Sequence, residues 1–325
     1  MLPLRVAAID FLNPAPLMWD FEHPPANAAL AQRYQLHYTQ PAQCAIELHE
    51  GRADLGLIPI AALTPSLAIV PGCAIASLDR VRSIQLIVRM KHKLRAPQIR
   101  VPHVRRGLIA TDVGSLPQPT GPSTQPAIDP IDQTLASVRT IAADTASLSS
   151  LAYAQILFHK FIHTQPQFLP ASADPIAMLT HADAALLIGD PALLALEDRT
   201  RIEAHPGVGP CLWIDLAHEW RTRTRLPWVA AVWAVRPEAL AGSVVTPAQL
   251  IADLQQSRDH GLAHIDSLVG EWTPRIALPP ATIRHYLSRN IHYTLDAPCI
   301  ETMVSFRRYA AEANILPPLP TLRFL

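Results

Sequence analysis

The chain has 325 residues, which is enough for two domains, because single hydrophobic cores usually stop growing near about 250–300 residues. Its 27 basic side chains balance 27 acidic ones, and neither a basic stripe nor a run of ~20 apolar residues is present. Nucleic acid and membranes are therefore poor candidates as partners.

The N-terminal segment predicts the first strand of a sheet. Residues 5–10 are mainly apolar and lack the order of basic, apolar and cleavage regions that defines a signal peptide. Residues 11–17 follow as a loop that Pro14 and Pro16 stiffen. Together with four widely scattered cysteines, which indicate a reducing compartment, this start leads us to expect a cytoplasmic enzyme with free thiols.

Two stretches more than a hundred residues apart share one construction. Residues 51–59 consist of an acidic turn, a short apolar run and a break at Pro59, and residues 181–191 repeat this plan with a break at Gly189 and Asp190. Each run is too short for a helix, so both predict buried parallel strands. Open α/β sheets bind ligands at the carboxyl ends of their strands. Two such ends, from two different sheets, predict a cleft for a small molecule.

The composition changes twice between these strands. Residues 112–132 contain five prolines and many small polar residues, which predict a long exposed loop. Residues 144–150 then place four hydroxyl side chains before an apolar-periodic helix over 151–163. A hydroxyl residue before a helix is typical of an N-cap, and the N-terminus of a helix also attracts anions. Both interpretations of this serine-rich turn stay open.

The remaining segments predict a two-lobed α/β arrangement. Residues 228–235 alternate as a strand that returns between the lobes, and helices are predicted over residues 247–267, 279–289 and 297–314. We expect one lobe from residues 1–90 and 236–325, and a second from residues 91–235. Two crossings between lobes form a hinge, and a hinge allows closure over a ligand.

Other chemistries find little support in the sequence. His159 and His163 are spaced like a metal-binding pair on one helix, but no third ligand lies near them in sequence. The three lysines do not resemble the desolvated amine of a Schiff-base enzyme, and nucleotide-binding glycine motifs are missing. We expect no metal and no cofactor.

Several motifs, in chain order, resemble one enzyme family. Residues 11–17 are similar to the Leu-Asn-x-x-Pro-Leu loop of the chorismate dehydratases of the futalosine route to menaquinone. Residues 215–220 and 226–233 are similar to this family's Asp-Leu-Gly-x-x-Trp and Leu-Pro-Phe-Val-x-Ala-x-Trp patterns. Further segments that fit in order are 51–59, 81–84, 144–150, 182–193 and 290–295. Phe11 in place of a Tyr and Trp228 in place of a Phe are departures that concern the shape of the pocket.

The resemblance implies a type II periplasmic-binding-protein-like fold, with a ligand cleft between two lobes. It also implies a lyase that dehydrates chorismate, a dicarboxylate, to 3-[(1-carboxyvinyl)oxy]benzoate, with the substrate's own carboxylate as the base and without a cofactor. On this interpretation Asn13 hydrogen-bonds the reacting region, and Ser83 orients a carboxylate or the departing hydroxyl. The implied substrate-binding residues are Ser147, Ser149, Ser150, Gly189 and Asp190. Structural alternatives are a turn-stabilising Asn13, an ordinary strand hydroxyl at Ser83 and a helix N-cap at Asp190.

Two other functions stay open at this point. The same cleft fits a non-catalytic solute-binding protein for a small carboxylate, although such proteins are mostly exported. A 1,4-dihydroxy-6-naphthoate synthase-like enzyme is the closer rival, but its Ser-Pro-Cys-Pro-Asn-Asp loop does not resemble residues 11–14. The sequence also leaves a homodimer open.

Overall fold

The computed structural model describes residues 2–90, 129–144, 146 and 148–325. Within these ranges the strands form two five-stranded sheets. In chain order the strands are β1 (Leu4–Ile9), β2 (Tyr34–Thr39), β3 (Leu55–Pro59), β4 (Ala68–Ser77), β5 (Ile84–Arg89), β6 (Thr140–Asp144), β7 (Gln167–Ala171), β8 (Ala184–Ile188), β9 (Cys211–Asp215) and β10 (Trp228–Val235).

The two sheets have the same plan. The first has the order β2-β1-β3-β10-β4 and the second the order β7-β6-β8-β5-β9. In each sheet three strands are parallel, and the last two are antiparallel to their neighbours. The predicted twin strands are β3 and β8, which are fully buried and occupy the third position of each sheet. This prediction is therefore confirmed.

The chain passes between the two sheets earlier than predicted at both places. The chain leaves the first sheet after Ser77 and enters the second at Ile84, and it returns between Asp215 and Trp228. The expected boundaries near residues 90 and 236 lie after these points, because alternation of apolar residues identifies a strand but not its pairing partner. The division into lobes at residues 1–90 with 236–325, and 91–235, stays a prediction, whereas the chain passes between the two sheets at 78–83 and 216–227.

Helices cover both sheets. They are α1 (Trp19–Glu22), α2 (Ala26–Leu30), α3 (Pro41–His49), α4 (Pro130–Ala136), α5 (Leu148–Ile156), α6 (Pro175–His181), α7 (Gly189–Glu197), α8 (Arg199–Ala204), α9 (Leu216–Thr224), α10 (Pro237–Ala241), α11 (Pro247–Ala263), α12 (Ile265–Trp272), α13 (Pro280–His285) and α14 (Ala297–Glu312). Short 3-10 turns form at Ala15–Met18 and Ile60–Ala62, and π-helical turns extend α5 and α13 over Leu157–Ile162 and Tyr286–Asn290. Within the described ranges, every helix is too short or too polar to cross a membrane.

The predicted loop over residues 112–132 ends earlier than expected. Its first 17 residues lie outside the described residues, but α4 already begins at Pro130. The Asp129 carboxylate accepts the Ile131 amide as an N-cap. Proline is well tolerated in the first turn of a helix, where its missing N–H would have had no intrahelical partner. The proline that suggested a loop instead starts a helix.

The aspartates before the twin strands have matching structural roles. The Asp54 carboxylate accepts the Arg5 amide at 3.0 Å and so fixes the start of β1 beside β3. The Asp183 carboxylate accepts the Thr140 amide at 3.2 Å and fixes the start of β6 beside β8. The repeated acidic turns therefore align neighbouring parallel strands, at the ends that point away from the predicted cleft.

The hydrophobic core continues from one sheet to the other. One cluster of buried side chains includes members of both sheets, and a second, smaller cluster lies in the second sheet. The four cysteines are buried and free: Cys44, Cys73, Cys211 and Cys299.

Candidate functional site

A cavity lies where the carboxyl ends of β3 and β8 face each other. Pro59 lines it from the first sheet, and Ile188 and Gly189 line it from the second. About 520 Å³ of space free of protein atoms, part of it open to solvent, lies between these walls. The cleft expected from the twin strands is therefore present.

The cavity brings together most of the predicted site residues. Lining residues include Asn13, Ser83, Ser149, Ser150 and Gly189. Ser147 lies outside the described residues. The other lining side chains are apolar, and no charged side chain is among those that the described part of the chain contributes.

Asn13 lies on the loop that follows β1. Its Oδ1 atom is buried and accepts no hydrogen bond from the described residues. The turn is instead held by backbone bonds, in which Ala15 donates to Leu12 and Leu17 donates to Pro14. A buried amide oxygen without a hydrogen bond lowers the stability of the folded protein. The Asn13 oxygen is therefore available to accept a hydrogen bond from a ligand or from water. A purely turn-stabilising role would require a bond that this oxygen does not make.

Ser83 lies just before β5 in a turn that Asp215 holds. The Asp215 carboxylate accepts the Val81 amide at 3.3 Å and the Arg82 amide at 2.7 Å. It also caps α9 by accepting the Ala217 amide at 3.1 Å. Arg82 has a φ of 63°, an unusual conformation for a residue with a side chain, and these bonds stabilise it. The carboxylate thus fixes the position of Ser83 in the cavity wall.

Tyr286 lies behind Ser83. Burial raises the pKa of the Tyr286 hydroxyl well above its ordinary value, while the neighbouring Ser83 hydroxyl has a smaller, lowering effect. The phenol therefore stays neutral. The buried Tyr286 hydroxyl makes no hydrogen bond within the described residues, so its proton is available to a group that binds beside Ser83.

The Ser149 side chain lines the cavity, but its hydrogen bonds join the two sheets. Its hydroxyl donates to the Ala230 carbonyl at 2.9 Å and accepts the Ala61 amide at 3.3 Å. One turn later, the Tyr153 hydroxyl donates to the Val229 carbonyl at 3.1 Å. These bonds attach α5 of the second sheet to β10 of the first. Ser150 is buried beside Ser149 and lines the cavity as well.

Gly189 permits a close approach of the two sheets. It has a φ of +60°, and a Cβ atom placed on it would lie 2.7 Å from the Phe11 ring. Any other residue would be strained by the backbone and would displace Phe11. The family-like Gly at this position therefore lets the loop after β1 pack on the end of β8.

Asp190 does not line the cavity within the described residues, contrary to expectation. It is the second residue of α7, Ile188 occupies the N-cap position, and the Asp190 carboxylate accepts the Leu12 amide at 3.0 Å. Burial raises the pKa of Asp190 to about 6, and the hydrogen bond from Leu12 partly offsets this rise. The side chain therefore contacts the Asn13 loop across the cleft, and it is neither an N-cap nor a wall of the cavity.

Two groups of residues bear on metal binding. Ligand atoms of His292, Asp296 and Cys299 lie within 4.8 Å of one another. However, Asp296 accepts a hydrogen bond from His292 at 2.9 Å and caps α14 by accepting the Cys299 amide at 3.0 Å. None of the three lines the cavity, and His159 and His163 do not belong to such a group within the described ranges. The expectation that the site uses no metal and no cofactor stays a prediction.

Sequence reasoning missed three residues that build the site. Asp215 and Phe11 were noticed only as parts of family-like motifs, and their contacts span more than a hundred residues of chain. Tyr286 carried no local signal, because a buried tyrosine on a helix is usually part of the core. The spacing of residues along the sequence does not reveal such a contact between distant parts of the chain.

Solved structures of known proteins share this fold. A protein of Archaeoglobus fulgidus, AF1704, superposes with a TM-score of 0.65 at 11% identity, covering 97% of this chain and 98% of that one. The periplasmic aliphatic sulphonate binding protein SsuA of Escherichia coli superposes with a TM-score of 0.60 at 12% identity, covering 98% and 89%. The fold is therefore periplasmic-binding-protein-like, as the sequence resemblance implied.

Sequence comparisons identify the family. A chorismate dehydratase of Thermus thermophilus is 30% identical over 186 residues, which are 55% of this chain and 64% of that protein. The matched region thus spans less than two thirds of that relative. The family model described as menaquinone biosynthesis matches residues 4–106 and 112–312. Because this match covers most of the chain, the protein belongs to the menaquinone biosynthesis family.

Proposed function

We propose that this protein is a lyase that dehydrates chorismate to 3-[(1-carboxyvinyl)oxy]benzoate. The observation that carries the proposal is the buried, unpaired Oδ1 of Asn13 in the same cavity as Ser83, a cavity whose described lining is uncharged. Membership of the menaquinone biosynthesis family and similarity to a chorismate dehydratase support the same assignment.

The reaction needs little acid–base machinery from the protein. One ring C–H bond and the adjacent C–O bond break, the electrons of the C–H bond form a ring double bond, and the proton and hydroxide leave as water. Aromatisation makes this loss strongly favourable. The protein's task is then to hold the substrate in one reactive conformation, which neutral hydrogen-bonding groups do well.

An uncharged lining suits a reaction in which the substrate supplies the base. A lysine or arginine beside the substrate's side-chain carboxylate would stabilise its charge and lower its basicity. Neutral partners such as Asn13 and the Ser150 hydroxyl bind the anion without that penalty, and exclusion of water raises its basicity further. Ser83, backed by the neutral Tyr286 phenol, would donate to the departing oxygen.

The proposal is tested by incubating the purified protein with chorismate and following the aromatic enol ether by absorbance and mass spectrometry. Turnover distinguishes the dehydratase from both alternatives. Binding of chorismate without turnover would favour the solute-binding protein. The absence of both binding and turnover would contradict the proposal. A cytoplasmic location and a homodimer stay predictions.

The site assignment is tested by Asn13→Ala and Ser83→Ala. Each should lower kcat by about 100-fold or more, because precise positioning of reacting groups contributes on that order. The melting temperature should change little, since the Asn13 oxygen makes no bond within the described protein. Matched controls are Asn27→Ala and Ser66→Ala, which lie away from the cavity and should leave kcat unchanged. Near-normal rates in both site variants would overturn the assignment.

A further inference from the structure

We propose that Asp190 is a positioning residue that latches the Asn13 loop of the first sheet onto the second sheet. The latch consists of the Asp190 carboxylate and the Leu12 amide. Its effect on catalysis rests on the proposed function, whereas its effect on the loop does not.

The latch joins two distant parts of the chain. Asp190 follows β8 in the second sheet, and Leu12 follows β1 in the first, 178 residues away in sequence. Leu12 is fully buried, so its amide has no access to water as an alternative partner in this conformation. A carboxylate aimed at a single amide across a cleft is a contact that forms only when the two sheets are together.

The latch sets the distance between the two residues proposed to act on substrate. The Gly189 amide donates to the Ser83 carbonyl at 2.8 Å. Asp190, next in the chain, holds Leu12, and Asn13 follows Leu12 directly. The Phe11 ring packs on the Cα of Gly189 at the same point. A series of direct contacts therefore connects Ser83 to Asn13, and the bond between Asp190 and Leu12 is the contact that joins the two sheets.

The two sides of the cavity are joined differently. On the side of α5, Ser149 bonds to Ala230 of β10 and to Ala61 in the turn after β3, and Tyr153 makes two further bonds to Val229 of β10. On the side of Asn13, the contacts include the Leu12–Asp190 bond and the Phe11 packing. The Leu12 amide therefore depends on a single side chain for its bond to the other sheet.

The stability of this latch depends on pH. Burial raises the pKa of Asp190 to about 6; the Leu12 bond and Arg275 act against this rise, whereas nearby Asp10 adds to it. The Tyr286 phenol also lies near Asp190 and is neutral. Because the closed conformation raises this pKa, closure takes up a proton and is most stable at acidic pH. This added stability is lost as the pH rises from about 4 to about 6, and above that the ionised carboxylate still accepts the Leu12 amide but without the contribution of the proton.

The experiment is amide hydrogen exchange of the full-length, substrate-free protein, resolved at Leu12. Asp190→Ala should speed exchange at Leu12 by about tenfold or more, the value of one lost hydrogen bond. Asp190→Asn keeps a neutral acceptor and should protect Leu12 at least as well as the unsubstituted protein at pH 7.5. Asp198→Asn, an exposed aspartate just after the same helix, is the matched control and should change nothing.

A pH series adds a readout that a merely structural role would not move. After correction for intrinsic exchange, Leu12 protection should fall between pH 4.5 and pH 7 in the unsubstituted protein and stay constant in Asp190→Asn. Unchanged Leu12 exchange in Asp190→Ala, or the same pH series in both proteins, would overturn the latch.

Turnover separates failure of the latch from failure of the proposed function. If the latch positions Asn13, Asp190→Ala should lower kcat about tenfold, with partial or full rescue in Asp190→Asn. If the protein does not turn over chorismate but Leu12 exchange depends on residue 190 as described, the proposed function fails and the latch stands.

Discussion

The ends of β3 and β8 differ more than their beginnings. Both strands begin after an aspartate that fixes a neighbouring parallel strand, and both are fully buried. β3 then passes through Pro59 into the turn Ile60–Ala62, whereas β8 passes through Gly189 into α7. The first ending lines the cavity through Pro59, and the second contacts Phe11 and Leu12 from the opposite sheet. Strand starts therefore serve stability, and strand ends serve the site.

The two strand ends are expected to differ most clearly between Gly189→Ala and Pro59→Ala. The new methyl group at position 189 would lie 2.7 Å from the Phe11 ring, and the residue would keep a φ of +60°, which alanine adopts at a cost. Together these effects should destabilise the protein by about 1–3 kcal/mol. Displacement of the Asn13 loop should also lower kcat by on the order of 100-fold. Pro59→Ala should change either quantity much less, since alanine accepts the extended backbone of Pro59. Thermal unfolding and chorismate turnover measure both; equal effects would refute the contrast between endings.

The beginnings of the strands are compared by Asp54→Ala and Asp183→Ala. Each change leaves strand-start amides without their carboxylate, so each should lower the free energy of unfolding by about 1–3 kcal/mol. Because both residues lie at the far ends of their strands, turnover per folded molecule should be unaffected. Urea denaturation and kcat measured on the same samples test this. A loss of turnover at unchanged stability would show that the strand starts reach the site.

The smallest expected effect concerns the α5 side of the cavity. Ser149→Ala removes two hydrogen bonds between the sheets and should lower the free energy of unfolding by about 1–2 kcal/mol. Ser150→Ala, the matched change one residue later, should instead weaken chorismate binding, seen as a higher KM, with little effect on stability. The reverse assignment of the two effects would place the substrate contact at Ser149.

Local sequence patterns predicted the elements of this fold better than their partners. The five-residue apolar runs bounded by Gly and Pro predicted β3, β8 and the cavity between their ends. The pattern could not show that β5 pairs in the second sheet and β10 in the first, because pairing depends on residues far apart in sequence. For the same reason the chain passes between the sheets earlier than the predicted lobe boundaries near residues 90 and 236.

The site shows the same division between local and distant information. Asn13 and Ser83 were predicted from motifs and do line one cavity. Ser149 and Asp190 were expected to face a ligand, yet their side chains bond to the opposite sheet. A hydroxyl or carboxylate has the same appearance in sequence whether its partner is a ligand or a backbone amide. Only the folded neighbourhood distinguishes the two.

The position of β10 inside the first sheet has a consequence for synthesis on the ribosome. β10 separates β3 from β4, so the first sheet has a gap until residue 235 has emerged. The described strands of the second sheet are all present once residue 215 has emerged. A nascent chain stalled between these points would hold one finished sheet and one interrupted sheet, and the half of the protein made first would be the last to mature.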